Sequence, residues 1–274
     1  MLNYFDVIKA QSGIPVDDIW TQLWGNTMST EYVITTYTGT LPITILSAGE
    51  DLIDYRIYGN TENGESVGVR TENLFDKSDV EQNCYYNADN VKSINEAHNE
   101  SDYIPVEAGK VYTLYLKKIK GGFGTVVNLY DTSRAFYKNV LSVIHANGYY
   151  SVTPDIDGYI RFNETPLYAT DYMFYEGSTA PTSYIPYGYK LPMVSRTENS
   201  LIATPIYIGS DPLAEDEYVD FGEQKIYRMV NGTLTPTDPP VPIPALPTIK
   251  GETVIDYDGA PKPSQMYIKY KKRR

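Results

Sequence analysis

Hydrophobic positions recur at two different periods along this chain, and the change comes near residue 30. Before it, Leu2, Phe5, Val7 and Ile8 are spaced as on a helix. After a break at Ser12-Gly13-Ile14-Pro15, the residues Val16, Ile19, Trp20, Leu23 and Trp24 form an apolar stripe at i, i+3, i+4, i+7 and i+8. Gly25-Asn26 follows as a C-cap would. The spacing predicts a short N-terminal helical segment within residues 1–30. A helix this short is unstable alone, so Phe5, Ile8, Ile19, Trp20, Leu23 and Trp24 must dock, either on the chain's own core or on a larger assembly.

From Tyr32 onward the pattern alternates at period two, as half-buried strands do. YVITTYTGT, PITILSAG and DYRIYGNT read as strands, and NTENGESVGVRTEN (60–73) as a polar loop. Between Asn73 and Gly188 come VYTLYLKKI, TVVNLYD, GYYSV, GYIRFNE and DYMFYEG, with turn residues between them. Strands about ten residues apart with such turns predict a β-sandwich or jelly roll. Residues 189–274 return to short strands: LIATPIYIGS, EYVDFGEQKIYRMVNG, ETVIDYD and QMYIKYKK. The proline-dense TPTDPPVPIPALP is extended and stiff, a spacer strapped over a surface. The expectation is an all-β chain of three parts: a docking segment (1–30), a β-rich scaffold domain from both flanks (31–72 plus 189–274), and a jelly roll inserted between them (73–188).

Alternation also assigns faces. In GYIRFNE, Ile160 and Phe162 face the core, which turns Tyr159, Arg161 and Asn163 outward. The same parity turns Thr113, Tyr115 and Lys117 outward from one strand, and Asn128 and Tyr130 from another. If the three strands share a sheet, its open face gathers Tyr115, Lys117, Asn128, Tyr130, Tyr159, Arg161 and Asn163. Tyrosine rings stack on the C–H faces of sugars, while amides and guanidinium groups bond paired hydroxyls. A glycan-binding face is one reading. A wet face, or one packed on the neighbouring domain, is the other.

Composition narrows the function. Tyrosine outnumbers phenylalanine 27 to 7, which favours half-exposed sheet. The net charge is −12, and five basic residues stand among the last six, so the body is more acidic still. That argues against a nucleic-acid binder, whose footprint is basic; the basic tail could touch nucleic acid or an acidic neighbour, but reads first as a solvated, frayed end. Cys84 is the only cysteine, so no intrachain disulfide forms. With only His98 and His145, and neither in a cysteine-hydrolase context, Cys84 reads as an inert small residue. Gly121-Gly122-Phe123-Gly124 lies between strands and reads as a hairpin turn rather than a phosphate loop. No catalytic constellation stands out, so the expectation is a non-enzyme, although 35 carboxylates leave a glycosidase pair open. No cofactor is implied beyond a weak case for structural Ca2+, from Asp and Asn near turns. The start lacks a basic region followed by an apolar core, and no run suits a membrane helix. The expectation is a soluble protein made in a cytoplasm, with no membrane partner.

Several segments carry a family resemblance. TGTLPITILSAGEDLIDYRIYGNT, RTENLFD, YIPYGYKLPMV and ETVIDYDGAPKPSQMYIKYKK resemble segments of tail and minor structural proteins from phages and prophages of Gram-positive gut bacteria. SDYIPVEAGKVYTL, GYIRFNE and MFYEGSTAPTSYIPY look like strands of the carbohydrate-binding-module-like jelly roll inserted in such proteins. The resemblance spans about residues 35–270 and carries no catalytic motif. It implies a virion protein of tail, baseplate or head, assembled in the host cytoplasm. Its partners would be other virion proteins, further copies of itself (trimers are a habit of such fibres), and bacterial surface carbohydrate. A purely architectural fibre or decoration protein is the alternative reading, and a polysaccharide-trimming enzyme the third.

Overall fold

The computed structural model describes residues 31–38, 41, 43–46, 50–118, 124–166, 169–197, 200–244 and 252–272. The helix expected within 1–30, with its docking residues Phe5, Ile8, Ile19, Trp20, Leu23 and Trp24, lies outside them. Among the described residues the protein is all-β, without a helix. The first four strands are β1 (Glu31–Thr38), β2 (Ile43–Leu46), β3 (Glu50–Tyr58) and β4 (Val69–Arg70). Nine follow: β5 (Val80–Tyr86), β6 (Lys92–Ser101), β7 (Ile104–Val106), β8 (Tyr112–Lys118), β9 (Thr125–Asp131), β10 (Phe136–Ile144), β11 (Gly148–Val152), β12 (Gly158–Glu164) and β13 (Ala169–Glu176). The last seven are β14 (Tyr189–Thr197), β15 (Ser200–Gly209), β16 (Tyr218–Asp220), β17 (Lys225–Val230), β18 (Thr233–Thr237), β19 (Glu252–Tyr257) and β20 (Gln265–Lys272).

These strands form two compact units. One is Thr71–Gly188; the other joins the flanks on either side of it, up to Arg70 and from Tyr189 onward. In the flank unit the sheets run β1-β20-β3-β16-β17-β18 and β15-β14-β19-β2, with β4 added to β14. Among the described residues each strand of the leading flank pairs only with strands of the trailing one: β1 with β20, β2 with β19, β3 with β16 and β20, β4 with β14. Ile57 and Val219 from the first sheet meet Leu191, Ile206 and Ile255 from the second in one core. Burying those apolar faces drives the flanks together.

Part of the basic tail is paired rather than frayed: Lys269, Lys271 and Lys272 belong to β20, which lies between β1 and β3. The register sets Lys269 opposite Asp54, Lys271 opposite Asp51 and Lys272 opposite Glu50.

Within residues 71–188, one sheet runs β10-β9-β12-β6-β5, with β7 also on β12; the other is β11-β8-β13. Val127, Leu129, Ile160 and Phe162 from the first sheet and Leu114, Leu116 and Phe174 from the second build a single core. That is the inward parity of the alternation. Phe75, just before β5, enters the same core beside Phe162, with ring centroids 4.9 Å apart. The chain enters and leaves the unit side by side, the Thr71 N–H donating to the Gly188 carbonyl at 2.8 Å. The turn expected at Gly121-Gly122-Phe123-Gly124 lies, but for Gly124, outside the described residues. One expectation needs correction: β8 belongs to a different sheet from β9 and β12, so the three strands of the expected glycan face do not share one sheet.

Candidate functional site: a tyrosine–arginine cluster

Five of the seven expected site residues lie together on the face of β9 and β12 turned away from the core, but that face is not open. Arg161, Asn163, Asn128 and Tyr130 are buried, and only Tyr159 keeps partial exposure. The cover is the β5–β6 hairpin, a stretch rich in Asn, Glu and Ser without the apolar alternation that marks a strand. β6 pairs with β12 only at Asn163↔Glu100 and Glu164↔Asn99. The hairpin turn then reaches the face: the Asn128 amide donates to the Asn87 carbonyl at 3.0 Å, and the Tyr130 hydroxyl to Asn90 Oδ1 at 2.6 Å. Asn87 shapes the turn by accepting from the N–H groups of Asp89 (3.0 Å) and Val91 (2.8 Å), and Asn90 takes the left-handed conformation at φ 58°.

The same chain interrupts its pairing with β12 between β6 and β7, and that interruption makes the site. At Ser101 the ladder is replaced by side chains: the Phe162 N–H donates to Ser101 Oγ at 3.0 Å, and Arg161 Nε donates to the Ser101 carbonyl at 2.8 Å. Pairing resumes at Ile104↔Ile160. The break places Tyr103 against the polar face of β12, as irregularities in sheets commonly re-aim side chains. Arg161 lies over both the Tyr103 and the Tyr86 rings, 4.8 and 4.9 Å from their centroids. Tyr103 meets Tyr130 and Tyr159 edge-on at 5.1 and 5.8 Å. From the other side of the sheet order comes Arg134, in the turn between β9 and β10. Its guanidinium lies 4.8 Å from the Tyr103 centroid and 5.4 Å from that of Tyr159. The result is an alternating run, Tyr86, Arg161, Tyr103, Arg134, Tyr159, in which the three rings are half-buried, Arg161 is buried and Arg134 is exposed.

The two arginines differ electrostatically. Arg161 is charge-paired, with one Nη donating to Glu81 Oε2 at 3.1 Å. Burial opposes its charge, but the neighbouring Glu100 and the Glu81 bond outweigh that and hold its pKa above the ordinary value. Glu100 is itself fully buried and accepts from the Tyr86 N–H at 3.2 Å. Burial pushes its carboxyl up to about 8, against the opposing pull of Arg161 and that N–H. Arg134 is exposed, and no hydrogen bond or ion pair to its guanidinium is present among the described residues. Its backbone has φ 67°, a conformation usually left to Gly or Asn. Asp131 anchors that turn by accepting from the N–H groups of Ser133 (2.8 Å) and Ala135 (2.9 Å).

The remaining two expected residues, Tyr115 and Lys117, sit on β8 in the other sheet. Tyr115 packs with the half-exposed Tyr149 at 4.8 Å, and Lys117 lies 3.8 Å from Asp171. Sequence reasoning missed Tyr86, Tyr103, Arg134, Glu81 and Glu100. Only Tyr86 and Tyr103 carried a signal, as tyrosines in segments otherwise too polar to pack. Cys84 is buried, and burial raises its thiol pKa.

A second concavity, of about 640 Å3, opens in the flank unit between Ile208–Pro212, Arg228 and Asp238. Its arginine is already consumed. Arg228 donates to Glu217 at 2.7 Å and to the carbonyls of Ile208, Asp211 and Pro212 at 2.6–2.8 Å. Among the described residues no three His, Cys, Asp or Glu side chains converge as a metal set, and no helix is long and apolar enough to cross a membrane. No protein-family model matches the chain, and neither a curated protein nor a solved structure matches it.

Proposed function

We propose that this is a phage virion protein whose 71–188 unit is a jelly-roll module for reversible attachment to bacterial surface glycans. The resemblance of its segments to tail and minor structural proteins supports the virion role. The jelly-roll reading is supported by strand order: β7, β8 and β9 alternate between the two sheets, and so do β10 to β13, as Greek-key strands do. The observation that carries the binding role is the run Tyr86–Arg161–Tyr103–Arg134–Tyr159. It offers partly exposed rings and a guanidinium fork, held by buried partners, on one rigid face. The binding residues of this proposal are Tyr86, Tyr103, Tyr159 and Arg134. Arg161 and Asn163 become their support, and Tyr115 and Lys117 play no part. Single-site sugar binding is weak, and several copies on one particle raise avidity without new contacts.

The test is binding of the purified chain to a panel of bacterial cell-wall glycans and to intact host cells. Saturable binding that falls about tenfold in Tyr103→Ala, with unfolding unchanged, is expected. A folded chain that binds nothing on the panel removes the attachment role.

The architectural reading has its own support in exposed apolar side chains. Ile94 and Val91 project from the β5–β6 hairpin at 77% and 57% exposure, and Met229, Val230 and Leu234 cluster at the β17–β18 turn. Neighbouring subunits would cover such positions. Absence of glycan binding, together with a multimer that Ile94→Asp disperses, would favour it.

A further inference from the structure

Taking the glycan-binding reading as its basis, we infer that the ligand is an anionic saccharide, with a carboxylate or phosphate group seated on Arg134. Arg161 is neutralised by Glu81, and the Ser101 carbonyl uses its Nε donor. Arg134, one ring further out, has neither a carboxylate nor a carbonyl on its guanidinium among the described residues. Contact over aromatic rings occupies the face of a guanidinium and leaves its in-plane N–H donors available. Those donors form a fork that matches the paired oxygens of a carboxylate or phosphate. Charge-assisted bonds of this kind are roughly twice as strong as those to neutral hydroxyls.

The surroundings sharpen the choice. Asp131, the acid of the same turn, directs its Oδ1 at its own turn, accepting from Ser133 and Ala135 rather than from the Arg134 guanidinium. In a chain of net charge −12, the exposed Arg134 offers an acidic glycan a cation beside aromatic rings. Tyr103 and Tyr159 hold that cation in place, so their rings fix where the anion sits while sugar hydroxyls reach the polar atoms around the run.

The experiment compares three probes on the full-length chain: a polyuronate oligosaccharide, a sugar-bearing polyol-phosphate oligomer and a neutral glucan oligomer of similar length. Binding is measured at low and high salt for the wild type and for Arg134→Gln, with unfolding of both followed in parallel. The expected result is a preference for an acidic probe over the neutral one of about tenfold or more, weakened by salt and abolished in Arg134→Gln. Preference for the uronate alone identifies a carboxylate ligand, and preference for the phosphate alone a phosphodiester; either supports the inference. Equal affinity for acidic and neutral probes, or a preference that survives Arg134→Gln, overturns the anion assignment and leaves glycan binding standing. Binding to none of the three, nor to any cell-wall glycan, overturns both.

Discussion

Glu100 shows at the level of one residue what the covering hairpin costs. Its carboxyl is buried between Tyr86, Arg161, Glu81 and Tyr130, and burial raises its pKa to about 8. Below the ordinary carboxylate range both folded and unfolded chains hold that proton, and stability does not depend on pH through this group. As pH rises towards 8 the unfolded chain releases the proton while the folded chain keeps it. The stability contributed is therefore lost across that window, by up to a few kcal/mol. Glu100→Gln keeps the acceptor for the Tyr86 N–H and removes the titration. Urea midpoints of wild type and variant should converge near pH ~5 and diverge near pH ~9, with the variant the more stable there. Parallel pH profiles would refute the buried-acid account. Neither Glu100 nor its partner Arg161 could be placed from sequence. Alternation turns Arg161 outward, and it does leave the core, but alternation cannot say that a second layer waits on that side.

At the level of elements, the site depends on how β12 is flanked. Gly158 opens that strand between β9 and β7, pairing with Asp131 on one side and Val106 on the other. A Cβ there would fall 2.0 Å from the Tyr130 carbonyl oxygen. Gly158→Ala should therefore lower stability by about 3 kcal/mol or more, read from thermal unfolding, and disturb Tyr130 and Tyr159 together. An alanine variant melting at the wild-type temperature would show that β12 has room. Strands with clean alternation, such as β8, β9 and β12, were legible as elements. β5 and β6 were not, because their buried positions are Cys84, Ala97, His98, Glu100 and Ser101 rather than large apolar residues. β14 was hidden for another reason. Its Pro192 argues against an interior strand, yet it lies between β15 and β19 with Pro192 opposite Pro205.

At the level of the whole molecule, the two units differ in what they need. Residues 71–188 have their own core and begin and end on one hydrogen bond. Excised, this segment should unfold cooperatively, as a domain with its own core does. The leading flank has no such independence, since among the described residues β1 to β4 find strand partners only within 189–272. A chain stopped after Gly188 should retain the 71–188 transition and leave residues 31–70 protease-sensitive. Protection of 31–70 in that truncation would contradict the pairing described above.

Taken by itself, the sequence determined what local chemistry can determine. Period-two alternation set the all-β class and the inward residues Leu114, Val127, Leu129, Ile160 and Phe162, because side-chain direction in a strand follows from the backbone alone. The similar short strands on either side of 73–188 hinted at kinship between the flanks. Tertiary structure alone decided which strands share a sheet, where β20 inserts, and what covers the outward face of β12. Those choices depend on pairings between residues far apart in the chain, such as Arg161 with Glu81 and the strand β20 with β3, whose energies no local window contains. The site follows the same division: its tyrosines were visible as a type, but the break at Ser101 that sets Tyr103 beside Arg161 and Arg134 exists only once β6, β7 and β12 have met.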